Sequence, residues 1–351
     1  MPLLLLTGSA RRTAKNWRAL RAYAGLVVGL LFFTGCRGVQ SAVDPAGPQA
    51  LRISKLWWTM LIVCSAVFII VLAVLLYSVF RAHRRNRVAD EPGTEQRLTR
   101  TISGAVLVTV VILFGLLIAS ALTGRALSSQ PEQDVLTIEV VGHQWWWEVQ
   151  YDDPLPVRTL KTANEIHIPT GQVVMLKLTS HDVIHSFWAP NLHGKKDLIP
   201  GHVALIWIQA DRPGVYRGQC AEFCGAQHAH MAFLVVAESP ERFADWYEKQ
   251  LKPAASPADA ALSHGQQVFL TSRCVMCHTI RGTTAAAISG PDLTHLASRG
   301  TLAAGTLPNT PDHLGGWVVN SQVAKPGNHM PPNELSPEDL QSLVSYLESL
   351  H

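Results

Sequence analysis

Cysteine is scarce in this chain, with six in 351 residues, and that scarcity excludes a fold held together by a disulfide framework. Cys36 and Cys64 stand alone, while Cys220/Cys224 and Cys274/Cys277 form two closely spaced pairs. Charge is also thin, at 16% of residues with a net of +3. No basic block or aromatic RNA-reading motif is present, so a nucleic-acid partner is excluded. What remains is apolar material, 48% of the chain, which is enough to place part of it in lipid.

The apolar residues are grouped. Arg11, Arg12, Lys15, Arg18 and Arg21 form a cationic start before the apolar run 24–34. Phe33-Thr34-Gly35-Cys36 then resembles a lipobox. Residues 1–35 therefore read as a lipoprotein-type signal peptide, with Cys36 as the lipidated first residue; the alternative is an uncleaved anchor. Segments 57–80 and 101–122 are uncharged and long enough to cross about 30 Å of hydrocarbon as helices, the one conformation that satisfies the backbone of a single span in lipid. Between them Arg81, Arg84, Arg85, Arg87, Arg97 and Arg100 outnumber Asp90, Glu91 and Glu95. Positive loops stay cytoplasmic, so the pattern predicts a hairpin with both chain ends outside. Trp57 and Trp58 suit the outer interface, and Cys64 reads as a small packing residue.

From 134 to 238 the texture changes to short β-branched runs broken by turn residues. Strands are expected over 135–141, 173–179, 203–209 and 233–236, giving an all-β sandwich of roughly 100 residues. This region holds Cys220-Ala-Glu-Phe-Cys224-Gly-Ala-Gln-His228-Ala-His-Met231, with His185 lying 35 positions before Cys220. Thiolates, imidazole and a thioether are soft donors that select copper or zinc. A disulfide between Cys220 and Cys224 or a zinc site is the plainer alternative, but zinc has no use for the Met. His230 reads as solvent-exposed. The CxxxCxxxHxxM spacing and the earlier His resemble the binuclear CuA site of the cytochrome c oxidase subunit II family, whose soluble region is a cupredoxin. That resemblance implies copper ligation by His185, Cys220, Cys224, His228, Met231 and the main-chain carbonyl of Glu222. It also implies a magnesium reached by the Glu222 carboxylate at the interface with subunit I.

Gly142-His143-Gln144-Trp145-Trp146-Trp147-Glu148 resembles the GHQWxW segment of the same family, which implies electron entry at Trp145. Three consecutive tryptophans on a strand otherwise mean packing on alternating faces, a reading kept for Trp146 or Trp147. Asp152, Asp153 and Asp182 are candidates for a negative docking surface, with solvated loop acids the alternative. Family members carry a glutamate just before the second span. Here Leu98-Thr99-Arg100-Thr101-Ile102-Ser103 occupies that place and Glu95 is out of register, so no residue receives a proton role.

A Pro/Ala linker at 253–258 leads into a second pattern at 259–351. An amphipathic helix over 261–270 precedes Cys274-Val-Met-Cys277-His278, the attachment motif of c-type haem. Cys274 and Cys277 would hold the porphyrin covalently and His278 the iron. A redox CxxC or a zinc half-site is disfavoured because His follows at once and no matching Cys pair exists. Met330, in Asn328-His329-Met330-Pro331-Pro332, is the expected second axial ligand, with His329 and His295 as rivals. A closing helix over 336–350, opening Ser-Pro-Glu-Asp, resembles the C-terminal helix of class I cytochromes c.

The expected fold class is thus a membrane-anchored multidomain protein: a two-helix transmembrane hairpin, an all-β cupredoxin domain and an all-α class I cytochrome c domain. The order resembles subunit II of bacterial oxidases with a fused cytochrome. This implies an electron-entry subunit of a cytochrome-c oxidase (oxidoreductase and translocase) in the bacterial cell membrane. It would work with subunit I and the other oxidase subunits, membrane lipids, and a cytochrome c or membrane cytochrome complex as donor. Oxygen reduction to water, coupled to proton translocation, would occur in subunit I, since no residue here serves dioxygen chemistry. The rival readings are a CuA-containing nitric oxide reductase subunit, which a neighbouring catalytic-subunit sequence would discriminate, and a membrane copper-delivery protein, which leaves the haem motif unexplained.

Overall fold

The computed structural model describes residues 38–84, 94–129, 135–153, 155 and 158–351. The expected signal peptide 1–35, Cys36 and residues 85–93 of the basic loop lie outside the described residues. Two long helices come first, α1 (Pro48–Arg84) and α2 (Thr94–Ser128). Each contains one of the expected spans and is longer than it, for identifiable reasons. Pro48 starts α1 where no helical N–H is required. The first turns of α1 bury Ala50 and Ser54 against the following domain, with Ala50 N–H bonded to Leu192 O at 3.2 Å. Arg52 then donates to Ala126 O at 2.9 Å, placing a cation on the carbonyl end of α2. Beyond these turns the side chains face outward, with Phe68, Phe80 and Leu107 more than half exposed. Apolar surface on this scale requires lipid as its solvent.

The next domain is a sandwich of two five-stranded sheets. One contains β1 (Leu136–His143), β2 (Trp146–Tyr151), β3 (Leu160–Ala163), β5 (Val174–Ser180) and β8 (Ala204–Ile208), in the order β3-β2-β1-β5-β8. The other contains β4 (Glu165–Pro169), β6 (His185–Trp188), β7 (Lys196–Leu198), β9 (Gly214–Cys220) and β10 (Ala232–Glu238), in the order β4-β10-β9-β6-β7. Two pairings, β1 with β5 and β10 with β4, are parallel and carry the crossovers; the other pairings are antiparallel. Alternating buried residues of β1, β5 and β10 meet in the interior with Trp147, Phe187 and Phe233. The Phe187 and Phe233 rings stack at 4.4 Å. Helix α3 (Pro240–Leu251) closes the domain, its Ser239 cap accepting from Arg242 N.

The segment expected as a linker is extended but anchored. Ala254 N–H bonds to Arg281 O at 2.9 Å, and the Arg281 guanidinium bonds to the Leu251 and Gln250 carbonyls at the end of α3. The last domain has its own core. It contains α4 (Ala260–Thr271), α5 (Pro311–Val319), the short α6 (Ser321–Ala324) and α7 (Pro337–Glu348). Asp259 and Ser336 cap α4 and α7. These two helices cross at Gly265, where an added Cβ would lie 2.0 Å from Ser342 O. Only glycine permits that approach.

Candidate metal and haem sites

Three adjacent strand ends explain how residues far apart in sequence converge. β6 pairs with β9 so that Phe187 faces Cys220, which brings His185 alongside Cys220. β9 pairs with β10, and Cys220 N–H bonds to Met231 O at 2.9 Å. The loop between β9 and β10 carries Cys224 and His228 back over the same sandwich end. Cys220 Sγ lies 3.8 Å from His185 Nδ1, 3.7 Å from Cys224 Sγ and 3.2 Å from Glu222 O. Cys224 Sγ lies 3.6 Å from His228 Nδ1 and 3.8 Å from Met231 Sδ. His185, both cysteines and Met231 are buried. His230, between two of these positions, is exposed and bonds to Gln227 Oε1 at 2.8 Å.

The electrostatics of the cluster ask for cations. The Cys220 thiol is pushed down, first by its contact with Cys224, against burial, and further by His185. Cys224 is pushed up, first because Cys220 is already an anion beside it and then by burial. A buried thiolate that keeps a second sulfur from ionising favours positive charge at the pair, and sulfur with imidazole is a donor set for soft metal ions. The residues therefore fit a copper centre. The Glu222 side chain points elsewhere, its Oε2 lying 3.5 Å from Lys195 Nζ near the surface.

His185 is held in one tautomer. Asp182 Oδ1 lies 2.8 Å from its Nε2, so that nitrogen donates and Nδ1 is the ring atom turned to Cys220. Asp182 Oδ2 accepts from Gln144 N at 2.7 Å. Each of the three acids weighed for a docking surface has a partner. Asp182 is committed to the cluster, Asp152 pairs with Lys177 at 3.0 Å, and Asp153 pairs with Arg158 at 3.2 Å. Gly142 leaves room for the His185 ring, since a Cβ there would stand 2.7 Å from His185 Cδ2.

The three tryptophans do not share one strand, as expected from sequence. Gln144 and Trp145 form the turn between β1 and β2, which frees Trp145 from sheet alternation. Trp147 is fully buried in the sandwich core, and Trp146 stacks on His143 at 4.4 Å. Trp145 Nε1 donates to Cys224 O at 2.9 Å, and Gln144 Nε2 donates to the same oxygen at 2.8 Å. The other side of the Trp145 ring meets His329 of the last domain, with ring centroids 5.9 Å apart.

Trp145 also borders a largely apolar cleft in that domain. Cys274, Cys277, His278, Leu296, Trp317, Met330 and Leu343 line it. His278 Nδ1 donates to Pro291 O at 2.8 Å, leaving Nε2 free, and burial holds its pKa below the usual histidine range. A neutral, oriented imidazole is what an iron ligand requires. The Met330 loop is fixed by Ser321 Oγ and Gln322 Nε2 donating to Met330 O at 2.6 and 2.9 Å, and by Met330 N–H bonding to Asn328 Oδ1 at 2.8 Å. Of the two rivals, His329 borders the cleft next to Trp145. His295 does not line it, and its Nε2 bonds to Lys252 O at 3.0 Å.

The sequence reading missed three residues of this region. Arg299 is buried at the cleft, and its Nε has no partner among the described residues. A carboxylate-bearing ligand such as haem would supply one, so the cleft fits that group. Trp317 forms part of the wall. Lys325 is buried and bonds to Trp145 O at 2.8 Å. None of the three lies in a motif, and isolated Arg, Trp and Lys residues give no periodic signal.

Comparison with known proteins follows the same division. Residues 154–238 match the family model "Cytochrome C oxidase subunit II, periplasmic domain", and residues 262–351 match "Cytochrome c". The chain is similar to cytochrome c oxidase subunit 2 of Alkalihalophilus pseudofirmus, at 33% identity over 96% of this chain and 98% of that one. It is similar to the subunit 2 of Bacillus subtilis at 28% identity, with the same coverage of both chains. Among solved structures, the periplasmic domain of subunit II of the Bradyrhizobium japonicum cytochrome oxidase matches at 32% identity and a TM-score of 0.32, covering 34% of this chain and 95% of that one.

Proposed function

Because this chain belongs to the cytochrome c oxidase subunit 2 family and carries a cytochrome c domain, we propose that it relays single electrons between a c-type haem and a binuclear copper centre, and onward to subunit I. In this reading oxygen is reduced to water in subunit I, with protons translocated there. The observation that carries it is the position of Trp145. Its indole N–H bonds to the carbonyl of Cys224 while its ring borders the cleft that contains His278 and Met330.

When bound, the haem and the copper pair supply the one-electron carriers of the relay. The residues of the chain hold and insulate them. Cys274 and Cys277 would hold the porphyrin by thioethers, and His278 and Met330 would ligate its iron. His278 is kept in register by Pro291 O, and the Met330 main chain by Ser321 and Gln322. On the copper side the ligands would be His185, Cys220, the Glu222 carbonyl, Cys224, His228 and Met231. Burial of His185, Cys220, Cys224 and Met231 excludes water, and the seating of His185 and Cys220 on neighbouring strand ends limits movement of these two side chains. In this reading the exposed apolar helices anchor the chain in the bacterial cell membrane, with the sandwich and cytochrome domains on the periplasmic or extracellular side.

The test is metal analysis and electron paramagnetic resonance on the purified protein. Copper in twofold excess over iron, with a signal from one electron shared between two coppers, is the expected result. A mononuclear copper signal, or no copper, would exclude this relay. Met231→Leu should shift the copper potential and slow onward transfer while the haem spectrum persists.

A further inference from the structure

The two electron-carrying domains meet around a buried ammonium. Lys325, just after α6, is 3% exposed, an unusual place for a lysine. Its Nζ donates to Trp145 O at 2.8 Å in the sandwich domain and to Ala303 O at 3.2 Å in its own domain. Around it the domains exchange further bonds. Gln227 Nε2 donates to Pro326 O at 2.6 Å, Ala232 N–H bonds to Ala304 O at 2.9 Å, and Glu165 Oε1 accepts from Gly300 N and Thr301 N at 2.7 and 3.3 Å. Each lies at or near a chain segment that carries the copper cluster or lines the haem cleft.

We propose that Lys325 is a positioning residue that clamps the cytochrome c domain onto the Trp145 turn, holding the haem cleft against the copper cluster in a single register. The inference rests on the relay reading and adds how the donor is oriented. A flexible tether alone would raise the donor's local concentration but leave its approach to chance. A bond from a buried ammonium to the main chain of the bridging residue removes that freedom, because the ammonium has no alternative solvent partner. Burial pushes the Lys325 pKa down to about 7, against the opposing pull of Cys224, and the nitrogen donates N–H to the two carbonyls in either protonation state.

The experiment compares the full chain in its purified oxidase complex with Lys325→Met and with Lys249→Met, whose ammonium pairs with Asp245 at 2.7 Å on the surface of α3. Methionine fills the same space without a charge, and apolar replacement of a buried charge is commonly tolerated by the fold. Two readouts are taken. Hydrogen exchange at the Ala232, Gly300 and Thr301 amides reports the interface without reference to metals. Flash-induced electron transfer from haem to copper reports its consequence.

In Lys325→Met the haem and copper spectra should persist, and interface exchange should accelerate roughly tenfold, the factor carried by one charge-assisted hydrogen bond. Transfer should slow by a similar factor and become viscosity-dependent, as a docking-gated step does. Lys249→Met should match the wild type. Wild-type exchange in Lys325→Met would overturn the clamp whatever the metals do. Absence of haem-to-copper transfer in the wild type would instead overturn the relay and leave the exchange result standing. Lys325→Gln, which keeps an N–H donor, should give intermediate exchange. Loss of the haem spectrum in both Lys325 variants would assign the residue to folding of its own domain and also overturn the clamp.

Discussion

Asp182 is the residue on which the orientation of His185 depends. Its carboxylate is held between His185 Nε2 and Gln144 N, so the acid joins the first cysteine's neighbour to the Trp145 turn. Asp182→Ala should leave the imidazole free to rotate and to change tautomer. Such partners of metal-binding histidines are worth about 10–100-fold in metal affinity, and a copper competition titration should show a loss in that range with the thiols intact. Gly142→Ala should act on the same ring from the opposite direction, since the new methyl would press on Cδ2. The acid was visible in sequence, three residues before His185. It read as surface charge because loop carboxylates are ordinarily solvated, and nothing in one dimension shows that this one is folded inward.

At the level of elements, the α4/α7 crossing sets the stability of the haem domain. Gly265→Ala would bring a methyl against the Ser342 carbonyl, and a main-chain oxygen cannot rotate away. Overpacking of this kind costs about 1–3 kcal/mol, which lowers the unfolding midpoint of a domain this size by roughly 5–20 °C. Thermal melts followed at the haem absorbance should show it. Both helices were legible in sequence, α4 from its amphipathic spacing and α7 from its Ser-Pro-Glu-Asp opening. Among the strands, β1, β5, β8 and β10 announced themselves through β-branched runs. β6 did not, because its residues are buried on both faces and show no alternation. β9 carries Gly, Arg and Gln, and owes its conformation to pairing with β6 and β10.

A second element-scale effect concerns β4. Burial alone would lower the His167 pKa, but Glu165 and Glu238 outweigh it and hold the value above the usual histidine range. The ring lies 3.2 Å from Glu238 Oε2 and 3.9 Å from Glu165 Oε2, and stacks on Trp246 of α3 at 4.0 Å. A raised folded-state pKa contributes stability that is complete below about 6.5 and is lost as pH rises through the folded value. Melting midpoints of the wild type should therefore fall relative to His167→Gln over that interval. Parallel curves for the two proteins would remove His167 as the cause.

On the scale of the whole molecule, the cytochrome domain covers Trp145, the entry to the copper cluster in the proposed relay. Trp145 is 8% exposed, with its carbonyl occupied by Lys325 and its ring against His329. The domain order and the apolar spans were plain in sequence, whereas this docking was not. The Pro/Ala segment reads as a spacer, and its anchoring depends on Arg281 and His295, which lie in other parts of the chain. The covering has a kinetic consequence. In the full chain a soluble reduced cytochrome c cannot touch Trp145 directly, so copper reduction should lag behind reduction of the chain's own haem. A chain ending at Leu251 keeps the sandwich core, which is built within residues 46–251, and uncovers the Trp145 face. Its copper should accept electrons directly from the added cytochrome, at a bimolecular rate on the order of 10⁵–10⁷ M⁻¹s⁻¹. Stopped-flow at wavelengths that separate haem from copper distinguishes the two cases. Copper reduced ahead of haem in the full chain would mean that the cytochrome domain leaves the entrance open, and that electrons reach the cluster without passing through it.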